Sequence, residues 1–182
     1  HTLTATTGTI LFSGTLTATT LVSAAAGYNV TLNGGGTVTN AVSFLNTGSL
    51  TIGASGFTFT GGAQKLAGAK SFAGTIASTN AALDFGTLGD VTLTGDTTFS
   101  SGSGAITLFD IPGPANFNLT LQGSGADQLG VANLGSGTLD PWAFKVSDSS
   151  DSPPAGDPGP ERPSAPPRDD DLAPGRAPGR RP

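Results

Sequence analysis

Six aspartates stand between His1 and Asp140 of this 182-residue chain: Asp84, Asp90, Asp96, Asp110, Asp127 and Asp140. The first three are spaced six apart. Carboxylates that a repeating fold brings into register could bind calcium or act as an acid pair on a sugar. Turn aspartates more often accept hydrogen bonds from nearby backbone. The calcium repeat of β-helices, Gly-Gly-x-Gly-x-Asp, does not occur; Gly34-Gly35-Gly36-Thr37 comes nearest and lacks the acid. A polysaccharide lyase needs a base beside a uronate carboxylate. Yet no Arg precedes Asp140, the only lysines there are Lys65 and Lys70, and His1 is terminal. Gly102–Gly104 reads as a turn, because no strand–glycine–helix context exists for a phosphate loop. The sequence therefore assigns no catalytic, metal or cofactor-binding residue, and no cofactor.

Thr-x-Thr pairs are the other recurring chemistry. They occur at Thr2–Thr4, Thr15–Thr17, Thr37–Thr39, Thr58–Thr60 and Thr92–Thr94. A flat threonine array would suit ice or another ordered surface. The intervals between these pairs are 13, 22, 21 and 34, too uneven for one regular array, and alternating Thr is commonly the solvated face of a strand.

The elements that would position these residues are short. Leu3-Thr-Ala-Thr-Thr returns at Leu16-Thr-Ala-Thr-Thr, and apolar–Thr–apolar pieces follow at Val30–Leu32, Leu50–Ile52, Phe57–Phe59, Val91–Leu93, Ile106–Leu108 and Leu119–Leu121. Alternation at period two predicts strands with one buried face. The Gly, Asn, Asp and Ser between them predict tight turns. From Gly89 to Leu108 the pattern gives three pieces, Val91–Thr94, Thr97–Ser100 and Ala105–Leu108. No window shows helical spacing with caps.

Strands this short, repeating without a unique set of core positions, favour a solenoid over a sandwich. The prediction is all-β: a right-handed parallel β-helix over residues 1–140, of roughly 20 residues per rung and about seven rungs. Its interior would stack Val30, Leu32, Leu50, Ile52, Phe57, Phe59, Val91, Leu93, Ile106, Leu108, Leu119 and Leu121. Residues 62–75 interrupt the alternation and read as a connector excursion or a helical turn. Tyr28 reads as a packing residue at a turn edge, and His1 as an unstructured terminus.

Charge narrows the function classes. Residues 1–64 contain no Asp, Glu, Lys or Arg, which leaves no electrostatic footprint for nucleic acid or anionic lipid. With no Cys there is neither disulfide nor thiolate metal site, and no apolar run reaches the length of a membrane span. After Asp140 the composition switches: residues 141–182 hold eleven of the thirteen prolines and all five arginines. Such a tail cannot bury enough apolar surface to order itself and is expected to be disordered. A shifted reading frame in GC-rich DNA would give the same composition. Arg176, Arg180 and Arg181 are balanced by Asp169-Asp170-Asp171, so the tail reads as a plain solvated segment. The missing leader and the absent N-terminal cap read as a fragment of a longer frame.

The texture of Ile76 to Leu108 resembles the β-strand repeats of long bacterial surface proteins, the filamentous-haemagglutinin-like adhesins and autotransporter passengers. The resemblance covers about residues 1–140 and rests on style; the Asn-Pro-rich motifs of the two-partner secretion domain are absent. It implies a right-handed β-helix, export with the help of an outer-membrane translocation partner, a cell-surface or extracellular location, and attachment to host or bacterial surface glycans or proteins. It implies no enzyme and no small-molecule substrate. The alternatives are a carbohydrate-active β-helix, lyase or hydrolase, and the threonine array.

Overall fold

A computed structural model of the chain describes residues 1–142, apart from Leu66, Thr87, Leu88, Pro114, Val131 and Asn133. The chain winds as a parallel β-solenoid in which each turn lays strands along three faces. The first turn consists of β1 (Thr2–Leu3), β2 (Thr9–Phe12) and β3 (Leu16–Ala18). Next come β4 (Val22–Ser23), β5 (Asn29–Leu32) and β6 (Gly36–Val38), then β7 (Val42–Phe44), β8 (Leu50–Ile52) and β9 (Phe57–Phe59). In the fourth and fifth turns one long strand serves two faces: β10 (Ala63–Lys65) precedes β11 (Lys70–Ala77), and β12 (Leu83–Phe85) precedes β13 (Val91–Gly102). The coil ends with β14 (Ile106–Leu108), β15 (Leu119–Gly123), β16 (Gln128–Leu129) and β17 (Leu139–Trp142).

Among the described residues every strand pairing is parallel, and there is no helix. The first face carries β1, β4, β7, β10, β12, β14 and β16, and the second carries β2, β5, β8 and the leading halves of β11 and β13. The third carries β3, β6, β9, the trailing halves of β11 and β13, then β15 and β17. Turns advance by 19 residues, as in Phe57↔Ile76, to 23, as in Leu83↔Ile106. The coil therefore makes about six turns rather than the seven expected from a uniform 20. The boundary read at Asp140 falls inside β17, and the expected disordered tail lies outside the described residues from 143 onward.

Alternation sets the core. All twelve residues expected inside are buried, none more than 3% exposed. Each large side chain removed from water contributes roughly 1.5–3 kcal/mol. On the second face the inward columns run Ile10–Val30–Leu50–Lys70–Val91 and Phe12–Leu32–Ile52–Phe72–Leu93. Phe72, Phe85 and Phe99 meet from three faces with ring centroids 4.9–5.9 Å apart, a favourable edge and tilted arrangement.

Three sequence readings need correction. Residues 62–75 are no excursion: they form β10 and most of β11, with Lys65 and Lys70 in inward positions where an apolar residue was expected. Gly95-Asp96 does not separate two strands, because β13 continues through both and absorbs the extra residues as a register shift opposite Phe72 and Gly74. Tyr28 packs at the turn edge as read, between the bend at 25–27 and β5, and is wholly buried, its hydroxyl 2.8 Å from Ser23 Oγ and donating to Leu3 O at 3.2 Å. His1 is also held, its ammonium donating to Thr20 O one turn on.

Candidate functional site

The carboxylates are dispersed by the fold. Asp84 points outward on the first face between Gln64 and Thr107 and accepts from Gly86 N at 3.1 Å, a local turn bond. Asp96 lies at the corner between the second and third faces and accepts Asn118 N of the next turn at 2.9 Å. Asp127 is buried and accepts Ile106 N at 2.8 Å, while its Oδ2 has no partner. Asp90 and Asp110 share one corner on neighbouring turns, since Val91 N donates to Asp110 O in the same pattern by which Lys70 N donates to Asp90 O. No group of three or more His, Cys, Asp or Glu gathers among the described residues in a way that could hold a metal. Asparagines at the corners act like the aspartates. Asn29 Oδ1 accepts Ser49 N, Asn80 Oδ1 accepts Ser103 N, and Asn118 Oδ1 accepts Thr138 N, each 20 or more residues away. The acidic and amide side chains thus stitch corner to corner, supplying acceptors where the strand ladder lapses.

Inside the corner between the first and second faces runs a polar seam that sequence reading missed. Ser23 Oγ accepts from Leu45 N and Asn46 N, where β4 and β7 form no regular ladder. Asn46 is fully buried; its Nδ2 donates to Tyr28 O, Gly48 O and Ser49 O, and its Oδ1 lacks a partner. Lys65 follows in register with Phe44, its Nζ donating to Asn46 O. Lys70 sits between Leu50 and Val91 in the adjoining column and donates to Gly89 O at 3.0 Å and Gly68 O at 3.3 Å.

Glycine explains why carbonyls need amines there. Gly68 and Gly89 have φ of +79° and +86°, and a Cβ on either would lie 2.4 Å from a carbonyl oxygen of the preceding turn. Only glycine fits, and the peptide oxygens of Gly68 and Gly89 are met by the Lys70 ammonium. Burial pushes Lys65 down to about 8, helped by the neighbouring charge of Lys70. Burial also lowers Lys70, while Asp84 and Asp90 pull it back up. Both side chains are 0% exposed, so these amines can donate hydrogen bonds to the chain but offer no surface to a substrate.

Outside, register converts scattered threonines into ladders. Leu11, Thr31, Thr51, Ser71 and Thr92 form one outward column on the second face. Ser43, Gln64, Asp84, Thr107 and Gln128 form another on the first, with Gln64 Nε2 donating to Ser43 Oγ at 2.6 Å. On the third face Thr17, Thr37 and Thr58 align. The uneven intervals between Thr-x-Thr pairs arose because those pairs belong to different faces. The signal that finds the array is Thr17-x-Thr19, which precedes Thr37-x-Thr39 by 20 residues and Thr58-x-Thr60 by 41. Comparison with family models, with curated proteins and with solved structures gives no match.

Proposed function

We propose that this coil is a non-catalytic, adhesive length of an exported bacterial surface protein, its flat faces holding weak binding groups at a fixed repeat. One observation carries the reading. Large apolar residues fill a continuous interior, while the outward positions form in-register ladders of hydroxyl and amide side chains with almost no charge. A rigid ladder multiplies weak contacts, because each further rung engages its ligand at high effective concentration. The partners that suit such a surface are host or bacterial glycans and proteins rather than nucleic acid. Lack of Cys and repetition of a simple rung fit passage through an outer-membrane translocation partner to the cell surface.

The test is saturable retention of the labelled chain on bacterial and animal cell surfaces and on immobilised glycans. Retention that strengthens when the chain is presented in several copies supports adhesion; no retention on any surface contradicts it. The stacked Asp90–Asp110 corner favours a second reading, a carbohydrate hydrolase, for which two carboxylates must flank a glycosidic bond. Release of reducing ends from pectin or alginate, lost in Asp110→Asn, would establish that reading and displace the first.

A further inference from the structure

The third face is a grid rather than a single column. Its outward positions come in pairs, the first on a strand and the second past the strand's end: Thr17 with Thr19, Thr37 with Thr39, Thr58 with Thr60, and Ala77 with Thr79. Strand register aligns the first members, Thr17↔Thr37↔Thr58↔Ala77. Of the second members, Thr39 N donates to Ala18 O and Thr60 N to Val38 O, which sets Thr39 opposite Thr19 and Thr60 opposite Thr39, while Thr79 N donates to Thr60 O and so steps one residue out of that line. Seven of the eight positions are threonine. Turns lie about 4.8 Å apart. Thr is stiff at χ1, so parallel stacking repeats one arrangement of methyl and hydroxyl from turn to turn. None of these side chains is buried, and none of the eight positions carries a charge.

We propose that this grid is an ice-binding face, a property independent of the adhesive reading. An ice surface presents no net charge, only hydroxyl donors and acceptors at a short fixed repeat. A charged side chain would keep its own hydration shell and hold the face off the lattice, because stripping that shell is costly. Uncharged hydroxyls can join the lattice hydrogen bonds, and the methyls beside them gain by shedding their water. A rung spacing near 4.8 Å lies close to the oxygen repeat along the a axis of ice. A sugar-binding face displays aromatic rings or charged and amide groups, which the first-face column supplies in Gln64, Asp84 and Gln128 and these eight positions lack.

The experiment measures thermal hysteresis and inhibition of ice recrystallisation with the full chain. Thr37→Lys and Thr58→Lys alter the centre of the grid, and Thr51→Lys makes the same change on the second face. Melting followed by circular dichroism confirms that all three fold. The expected result is hysteresis in the parent chain, most of it lost in Thr37→Lys and Thr58→Lys and retained in Thr51→Lys. A parent chain without hysteresis overturns the proposal, as does equal loss in Thr51→Lys. So does grid-dependent retention on insoluble chitin or cellulose without any effect on ice.

Discussion

Lys65 shows how one residue can run against the fold's own rule. It occupies an inward position between apolar neighbours, where its ammonium has lost its water and gained the Asn46 carbonyl. Its folded pKa is about 8, below the ordinary lysine value of 10.5. The folded state therefore releases this proton before the unfolded state does. Stability must rise as pH climbs from about 8 to 10.5, and Lys70 acts in the same direction. The expected gain from Lys65 is on the order of 2–3 kcal/mol, read as the unfolding free energy in denaturant at pH 7, 9 and 10.5. In Lys65→Met the rise is smaller, because only Lys70 remains to drive it. A parent chain that loses stability steadily over this range would show that the amine is not desolvated. Asp96 offers the opposite case, a carboxylate used for its lone pairs. Asp96→Asn keeps an acceptor for Asn118 N and is expected to be nearly neutral, whereas Asp96→Ala should cost about 1 kcal/mol. Equal losses in the two variants would mean that the charge itself matters.

Strands and corners were legible in the sequence to different degrees. The apolar–Thr–apolar pieces gave the buried positions correctly, because period-two alternation states directly which side chains face inward. Ala63-Gln64-Lys65 defeated the same logic: Lys at the third position reads as outward, and only the neighbouring turns show that it faces inward to meet the Asn46 carbonyl. The corners carry their own signal, Gly48, Gly68 and Gly89 at intervals of 20 and 21, which strand alternation does not reveal. Gly68→Ala must force a Cβ against Gly48 O in a backbone region that side chains avoid. It is expected to destabilise by about 1–3 kcal/mol. Phe99→Ala, which empties the aromatic junction of three faces, should cost about 3–5 kcal/mol. Thermal melts rank the two; a neutral Gly68→Ala would mean that the corners do not approach as closely as described.

At the scale of the whole molecule, the account stands on turns that stack in register, since this alone lines up the hydroxyl ladders and brings Lys65 beneath Asn46. Composition set the class of fold, but it could not set the pitch of each turn, which varies with insertions such as the one between Leu93 and Thr97. For the same reason the threonine grid stayed hidden until the faces were separated. The most direct measurement places a spin label at Leu11→Cys and a second at Thr51→Cys, Ser71→Cys or Thr92→Cys, in a chain with no native Cys. These positions lie two, three and four turns along one outward column. The measured distances should grow in even steps, about 10, 14 and 19 Å for the backbone, with the labels adding a constant spread. Distances that fail to increase in that order would contradict the stacked coil and every ladder built on it.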